Sequence, residues 1–511
     1  MQTGTRIAAV DLGSNSFRLE IARVELGQIQ RMEYLKETVR QGNGLDADRH
    51  LSQDAMQRGW DCLARFGERL NSFKPPQVRA VATQTLRDAR NREEFLVVAQ
   101  QILGFPIDVI SGREEARLIY QGVAHMLPQS DERRLVVDIG GRSTEMIIGQ
   151  GYSAETMDSY RVGSVAWSMR YFPDGVFSSH TFEIAEVAAK AILDEATTIY
   201  SRGWDSVYGS SGTVSAIANM LFQAGRAPTE GVITQEGLDW LRDRLIKAQR
   251  ADALRLDGLK DERRAVIGGG LAVLRSIFDL LGIDAMQQAH GALRHGALFD
   301  LLNREDQQTD VRSSSIERLA VKFNVDRAQA ARVSHVATQL LRQLMPRTKK
   351  SEREARERQI DWAARLHEIG SSISHSYYHK HGAYILDNSD APGFSMHELH
   401  DLSQLVLGHR GKLRKLEARF NDAMFMRQLL ALRLAVILCH ARQDPDIKEL
   451  SIEADSGPAH SFTLTFGSED WARAWPQSAH LLREETLAWQ KTPWGFKLKT
   501  TTNQDASGIA A

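Results

Sequence analysis

Hydrophobic and polar residues alternate with a period of two in two separate stretches, and a glycine-containing turn interrupts each stretch. After the first turn, Phe17, Leu19 and Ile21 alternate with more polar neighbours. The second stretch, VVDIGGRSTEMIIG at 136–149, runs from a hydrophobic segment through an aspartate and two glycines back into a strand pattern. A period of two is typical of β-strands. Both turns therefore join strand to strand, which excludes a P-loop or a Rossmann turn, because the glycines of those motifs open a helix.

The two stretches are copies of one pattern. Aligning residues 8–24 with 135–151 pairs Asp11 with Asp138, Gly13 with Gly140 and Ser16 with Ser143. Helical and strand-like segments alternate between the copies and after them, to about residue 303. The repeat therefore predicts two related α/β halves.

The remainder of the chain changes character. A helical pattern extends to about residue 444, and a strand–strand–helix–strand pattern follows it. We expect the polar tail at 501–511 to be disordered. The predicted domains are 1–124, 125–304, 305–445 and 446–511.

Composition excludes several classes of protein. The net charge of -1 gives no general attraction to nucleic acid, so any site for a polyanion is local. No apolar run reaches the roughly 18 residues that span a bilayer. Cys62 and Cys439 lie far apart without a CxxC motif, which is typical of a reducing compartment. We expect a cytoplasmic protein without membrane insertion.

The two turns carry the chemistry of a phosphate site. Glycine-rich hairpin turns expose consecutive backbone N–H groups that bind anions, and hydroxyl or amide side chains add donors. The predicted phosphate-binding residues of the two turns are Ser14, Asn15, Ser16, Gly140, Gly141, Ser143 and Thr144. Asp11 and Asp138 would repel phosphate unless a hard cation such as Mg²⁺ lay between them. The alternative is a pair of ordinary hairpins with an aspartate at each turn.

A helix start at 111–123 supplies a candidate base. Ser111 and Glu114 have the spacing of a capping box, which gives Glu114 a structural role. Glu115 lies off the apolar stripe of the predicted helix and has no capping role. It is a candidate general base for activating water, or else a carboxylate favoured only by the helix dipole.

Two further segments favour anion binding. Arg87 and Arg90 follow a predicted strand end, where ligands of open α/β sheets bind, and arginine matches phosphate oxygens. Arg90 could instead bond the next helix start or face solvent. Gly209, Ser211 and Gly212 precede a predicted helix, and a helix N-terminus binds anions, although a simple capped turn has the same pattern.

These segments resemble the exopolyphosphatase and guanosine pentaphosphate phosphatase family, within the actin, sugar kinase and heat-shock chaperone ATPase superfamily. The similar segments are AVDLGSNSFRL (9–19), ATQTLRDARN (82–91), ISGREEARLIYQGV (110–123), VVDIGGRSTEMIIG (136–149), GSSGTVSAIA (209–218), LHEIGSSISHSYYHKHGAYIL (366–386) and GHRGK (408–412). The resemblance implies an α/β fold of two ribonuclease-H-like, actin-like domains flanking a cleft. It also implies an all-α HD-like domain after them and a small α+β C-terminal domain.

The resemblance also implies roles for residues. It makes Glu115 the catalytic base and assigns phosphate or metal contact to Asp138, Gly140, Ser143 and Glu145. It implies Mg²⁺, with K⁺ as a possible activator, and a homodimer. Arg142 stands where the family usually has a third glycine, and it either adds a positive group to the phosphate site or narrows it.

Histidines concentrate in the helical region, where seven of the 16 fall between residues 361 and 410. An HD metal site needs adjacent His-Asp, and His367 is followed by Glu368, so we do not expect an independent metal site here. The preferred interpretation is a channel that binds polyphosphate electrostatically. Its predicted lining is His379, Lys380, His381, His409, Arg410 and Lys412.

The leading hypothesis is a Mg²⁺-dependent exopolyphosphatase that releases terminal phosphate processively from inorganic polyphosphate. The alternatives are a guanosine pentaphosphate phosphatase, a polyphosphate- or alarmone-binding regulator with weak catalysis, and, more distantly, a sugar or acetate kinase. The sequence does not distinguish the substrates by any guanine-binding signature.

Overall fold

A computed structural model of the 511-residue chain describes residues 3–25, 28–128, 130–303, 311–346, 348–389, 391–448, 450–454, 460–466 and 470–500. The chain divides into two compact units. One comprises Met1–Asp310 with Pro392–Ser395, and the other comprises Val311–Ala391 with Met396–Ala511. The tail at 501–511 and the predicted boundary at 304/305 lie outside the described residues. The boundaries at 124/125 and 445/446 stay predictions.

The first sheet of the first unit has five strands in the order β3-β2-β1-β4-β5. Its strands are β1 (Arg6–Leu12), β2 (Phe17–Glu25), β3 (Gln28–Glu37), β4 (Val78–Ala82) and β5 (Ile107–Val109). The associated helices are α1 (Gln53–Leu70), α2 (Gln84–Asp88), α3 (Arg92–Leu103) and α4 (Gly112–Met126). Because β1, β4 and β5 are parallel, the turn after β1, the segment after β4 and the start of α4 lie at one edge of the sheet.

The second sheet has six strands in the order β10-β11-β9-β6-β7-β8. Its strands are β6 (Arg133–Ile139), β7 (Thr144–Gln150), β8 (Ser153–Tyr160), β9 (Ser206–Ser210), β10 (Val232–Thr234) and β11 (Ala285–Gln288). The associated helices are α5 (Ser164–Tyr171), α6 (Ser179–Tyr200), α7 (Ser211–Gln223), α8 (Gln235–Ala248), α9 (Asp261–Arg264), α10 (Ile267–Leu281) and α11 (Leu293–Asn303).

The two sheets repeat one topology. The antiparallel hairpin β1–β2 pairs Asp11 with Arg18, and the hairpin β6–β7 pairs Asp138 with Glu145 at the equivalent position. A parallel strand, β4 or β9, lies on the other side of the first strand in each sheet. The prediction of two related α/β halves, each with a strand-to-strand turn, is confirmed.

Helices α4 and α11 link the two halves of the first unit. Along α4, buried residues such as Ala116 and Ile119 pack with Val136 and Ile147 of the second sheet. On α11, Ala297, Leu298 and Leu301 pack with the first sheet. Each fully buried aliphatic side chain contributes about 1.5–3 kcal/mol, so this packing fixes the start of α4 relative to both turns.

The second unit begins with helices α12 (Val311–Lys322), α13 (Arg327–Leu344), α14 (Lys350–Arg365), α15 (Tyr378–Asp387), α16 (Met396–Gly408) and α17 (Ala423–Leu438). A three-stranded sheet with two helices follows: β12 (Leu450–Ala454), β13 (Ser461–Phe466), α18 (Asp470–Ala474), α19 (Pro476–Trp489) and β14 (Gly495–Thr500). In the part of the chain that the structure describes, no helix has both the length and the apolar character needed to cross a membrane.

Candidate functional site

The two turns of the first unit line one cavity, whose volume is about 340 Å³. The lining residues from the turns are Asp11, Gly13, Ser14, Asn15, Ser16, Asp138, Gly140, Gly141 and Ser143. A Cβ built on Gly141 would lie 3.2 Å from the Cβ of Ser14 and 3.7 Å from the backbone nitrogen of Asn15. The turns therefore approach each other so closely that a side chain at position 141 would crowd the first turn.

Backbone contacts occupy the carbonyl groups of both turns. The carbonyls of Ser14 and Asn15 accept hydrogen bonds from the N–H groups of Gly42 and Arg40, both at 2.8 Å. In the second turn, Gly140 and Gly141 accept from the first residues of α5 at 2.9–3.0 Å. These bonds engage oxygens that would otherwise repel an anion, and they hold each turn against its own half of the unit.

Glu115 extends into the same cavity from the first turn of α4. The Ser111 hydroxyl caps this helix by accepting the Glu114 N–H at 3.2 Å, as predicted. The other half of the predicted capping box is wrong. The Glu114 carboxylate instead accepts from Arg117 at 2.8 Å and from the Gly393 N–H at 2.7 Å, because tertiary partners outcompete the local N–H.

Arg87 holds the Glu115 carboxylate in place. Both Nη1 and Nη2 of Arg87 lie 3.2 Å from Oε2 of Glu115, whose side chain is about 9% exposed. Burial raises the pKa of Glu115 to about 7, Arg87 opposes that shift, and the nearby charges of Asp11 and Asp138 add to it. A carboxylate with a pKa near neutrality is suited to accept a proton from water.

The two aspartates have different surroundings. Asp11 accepts from Arg18 Nη1 at 3.0 Å, so its charge is paired. Burial raises the pKa of Asp138, and the Ser210 hydroxyl and Arg18 only partly offset this effect. Of the two turn aspartates, one is thus neutralised by an arginine and the other favours a cation.

Glu145 lies next to the cavity but is not part of its lining. Its carboxylate is 1% exposed and accepts a hydrogen bond from the Ser159 hydroxyl at 2.7 Å. Burial raises its pKa well above the usual value, and the charges of Glu115 and Asp138 raise it further. Direct metal contact by Glu145 therefore stays a prediction.

The carboxylates fit a weakly chelated divalent cation. Among the described residues, no three His, Cys, Asp or Glu side chains come close enough to hold a metal ion by themselves. Mg²⁺ commonly binds through one or two carboxylates and completes its shell with water and phosphate oxygens. Asp138 is the residue best placed to hold such an ion, with Asp11 as a second candidate.

Five predicted phosphate-binding residues do not line the cavity. Arg87 bonds Glu115, the exposed Arg90 has its side chain outside the lining, and Nη1 of Arg142 donates to the Gly42 carbonyl at 2.8 Å. The buried Thr144 hydroxyl donates to the Val162 carbonyl at 2.6 Å, and Gly209 lies within β9. Arg87, Arg142 and Thr144 thus bond to neighbouring protein groups. Ser211 and Gly212, at the start of α7, do line the cavity.

Four Lys and Arg residues line the cavity without being among the predicted site residues: Arg18, Lys36, Arg263 and Arg294. Arg18 was within reach of sequence analysis, because it lies opposite Asp11 in the hairpin register. Arg263 lies so close over Gly212 that a Cβ there would overlap its guanidinium. Arg263 and Arg294 reach the site only through tertiary folding, so no local pattern indicates them.

The second unit contains the residues predicted to form a polyphosphate channel. His379 and His409 are buried, at 7% and 2% exposure. Burial, followed by the charges of Lys415 and Arg410, lowers the pKa of His379 to about 4, and burial lowers the pKa of His409 as well. Both are therefore neutral near pH 7, contrary to the expected cationic role. His381 is half-buried, and the positive charge of this group comes from Lys380, Arg410 and Lys412.

Comparison with known proteins matches nearly the whole chain. Residues 20–305 match the Ppx/GppA phosphatase family, and residues 311–487 match Ppx/GppA phosphatase, domain III. A guanosine-5'-triphosphate,3'-diphosphate pyrophosphatase of Vibrio atlanticus is 40% identical over 498 residues, covering 96% of this chain and 98% of that protein. The protein of the same name from Aeromonas hydrophila is 37% identical over 503 residues, covering 98% and 99%.

A solved structure of the family is similar in fold over part of this chain. The crystal structure of the Aquifex aeolicus member of the Ppx/GppA family covers 59% of this chain and 99% of its own, with 25% identity and a TM-score of 0.50. The architecture of two sheet domains, followed by a helical region, agrees with this likeness. The chain belongs to the Ppx/GppA phosphatase family.

Proposed function

We propose that the protein releases the terminal 5'-phosphate of guanosine 5'-triphosphate 3'-diphosphate, with Glu115 as the general base. The observation that carries this proposal is the position of Glu115, a carboxylate with a pKa of about 7, at the cavity where two anion-binding turns meet. The guanosine substrate is supported by the names of relatives that are 37–40% identical over nearly the whole chain.

The terminal phosphate binds between the turns. Backbone N–H groups and the hydroxyls of Ser14 and Ser143 donate to its oxygens. Ser211 and Gly212 add the N-terminus of α7, a helix of 13 residues. Arg263 supplies positive charge beside that helix. Such charge-assisted hydrogen bonds contribute roughly 1.5–3 kcal/mol each, which is enough to position the phosphate for attack.

Glu115 accepts a proton from the attacking water. The water oxygen forms a bond to the terminal phosphorus, the bond from that phosphorus to the bridging oxygen breaks, and the bridging oxygen keeps the electron pair. The products are orthophosphate and guanosine 3',5'-bis(diphosphate). Arg87 orients the carboxylate and favours its ionised form. When bound, Mg²⁺ neutralises charge on the phosphate oxygens, with Asp138 as the proposed protein ligand.

Inorganic polyphosphate is the second candidate substrate. The specific observation in its favour is a group of exposed basic side chains in the second unit, Lys380, Arg410 and Lys412, because clustered positive charge suits electrostatic binding of a polyanion. The same turns and the same base serve both reactions, because both break a terminal phosphoanhydride.

The test is phosphate release by the purified protein from guanosine 5'-triphosphate 3'-diphosphate and from long-chain polyphosphate. We expect the nucleotide to give at least a tenfold higher kcat/KM, which is about 1.4 kcal/mol of discrimination. Chelation should abolish release, and added Mg²⁺ should restore it. Release from polyphosphate alone would favour the second candidate, and binding of either compound without release would contradict both.

A further inference from the structure

A second cavity, of about 620 Å³, adjoins the phosphate cavity in the first unit. The two cavities share six lining residues: Lys36, Gly212, Ser215, Arg263, Gln288 and His290. Glu115 and the two turn aspartates line only the first cavity. The second cavity therefore opens from the phosphate cavity past the start of α7, and Glu115 and the two turn aspartates lie outside its lining.

The second cavity lies where the non-reacting part of a substrate would extend from the phosphate cavity. In an in-line displacement, the leaving group departs on the side opposite the attacking water. The water is activated at Glu115, so the remainder of the substrate extends toward the other end of the cleft. The second cavity has the volume of a typical small-molecule site, which is larger than a row of phosphates requires.

Most polar groups in the second cavity are already engaged. The Glu262 carboxylate accepts from Lys36 at 2.7 Å and from the Thr38 hydroxyl at 3.3 Å. The Asn219 amide donates to the Gly258 carbonyl at 3.1 Å, which fixes its orientation. These pairs hold the walls of the cavity and leave their members less available to a ligand.

Glu230 is different from these groups. It lines only the second cavity and is exposed, and within the described ranges its carboxylate has neither a hydrogen bond nor an ion pair. It also stands beside Gly231, and the lining adds Ala216 and Gly258, so the walls near it carry little side-chain bulk. A free carboxylate beside small residues can accept from a planar ligand that offers adjacent N–H groups.

We propose that the second cavity is the nucleoside subsite and that Glu230 selects guanine by accepting its N1–H and its exocyclic amino group. This inference rests on the proposed function. Adenine would place the lone pair of its N1 against the carboxylate, and the resulting unpaired acceptors disfavour it.

The experiment compares Glu230→Gln with wild type on three substrates. Two are the guanosine and adenosine 5'-triphosphate 3'-diphosphates, which differ only in the base, and the third is inorganic tripolyphosphate, which has no base. Glu236→Gln is the matched control, because Glu236 is an exposed carboxylate in the first turn of α8 and lines neither cavity.

We expect Glu230→Gln to lower kcat/KM for the guanosine substrate roughly 10- to 100-fold, the range of a lost charge-assisted hydrogen bond. The values for the adenosine substrate and tripolyphosphate should change less than about threefold, and Glu236→Gln should leave all three unchanged. Calorimetry with GDP and ADP gives a readout that does not depend on turnover, and only GDP binding should weaken in Glu230→Gln.

The outcomes separate the two proposals. If wild type cleaves the guanosine substrate and Glu230→Gln leaves both that rate and GDP binding intact, the subsite assignment is overturned while the proposed function stands. An equal loss on all three substrates would also overturn it. If wild type cleaves tripolyphosphate but no nucleotide, the proposed function fails and the subsite with it.

Discussion

The turn at Asp11 and the turn at Asp138 have the same hairpin topology but different distributions of charge. In the hairpin register, Asp11 lies opposite Arg18, whereas Asp138 lies opposite Glu145. The Asp11 carboxylate is paired with Arg18 at 3.0 Å. At Asp138 and Glu145, burial raises the pKa of both acids, and each acid has other negative charges nearby.

This difference gives the two turns complementary roles in the proposed phosphate site. The first turn adds an arginine, which neutralises its aspartate and supplies positive charge to the cavity. The second turn holds two acids, Asp138 and Glu145, whose ionised forms are stabilised when a cation is near. The two turns therefore differ at the paired position, with Arg18 in the first and Glu145 in the second, and this difference makes their electrostatics complementary.

The largest expected effect on kcat is that of Glu115→Gln, because the charges of Asp11 and Asp138, one in each turn, both act on the pKa of this residue. The amide cannot accept the proton of water, so we expect kcat to fall about 10²- to 10⁴-fold. Substrate binding, measured by calorimetry, should persist. Full turnover by this variant would remove Glu115 from the mechanism, and Glu236→Gln controls for the loss of an exposed carboxylate.

The aspartate pair tests the comparison directly. Asp138→Asn should lower kcat about 100-fold and raise the Mg²⁺ concentration needed for half-maximal rate, since it removes the unpaired carboxylate. Asp11→Asn should cost only about tenfold, because Arg18 remains at the phosphate. A Mg²⁺ titration of phosphate release measures both effects. Equal or reversed requirements for Mg²⁺ would show that the turns are not specialised.

The pH dependence of kcat tests whether Arg87 stabilises the ionised form of Glu115. The ionised form of Glu115 is the active one, so kcat should be lost as pH falls through about 7. Arg87 stabilises that ionised form, and Arg87→Ala should therefore move the rising limb about one unit to higher pH. Arg90→Ala, in the same segment but outside the cavity lining, should not move it. An unmoved limb in Arg87→Ala would contradict the assigned role of Arg87.

The smallest expected effect concerns Arg142, the residue at which the second turn departs from the family pattern. Its guanidinium donates to the Gly42 carbonyl and does not line the cavity. Arg142→Gly should lower the free energy of unfolding by about 1 kcal/mol and change kcat/KM less than about threefold. Urea denaturation and phosphate release measure these changes. A tenfold change in kcat/KM would mean that Arg142 reaches the substrate.

Local sequence patterns were sufficient for the turns and for the helix that carries Glu115. The strand period and the repeated Asp-Gly-Ser spacing specify short-range structure, and the Ser111 cap places Glu115 at a helix start. Together these features predicted the α/β architecture of the first unit. In the structure, both turns and Glu115 line one cavity.

Side-chain partners set by tertiary folding were not predictable in the same way. Arg87 and Arg142 were expected to bind phosphate, but each bonds a neighbour that only the folded chain supplies. Arg263 is more than 200 residues from the first turn in sequence, and His379 and His409 lost their expected charge to burial. Residue type indicates what a side chain can bind, whereas packing decides which partner it meets.

In the proposed mechanism, both turns meet at one cation and one terminal phosphate beside Glu115. The most direct test is a crystal structure of the Glu115→Gln variant with Mn²⁺ and guanosine 5'-triphosphate 3'-diphosphate, using the anomalous signal of the metal. We predict an anomalous peak in contact with the Asp138 carboxylate, and the terminal phosphate between residues 13–16 and 140–143. A metal bound away from Asp138, or a terminal phosphate that contacts only one turn, would show that the two turns do not form one phosphate and metal site.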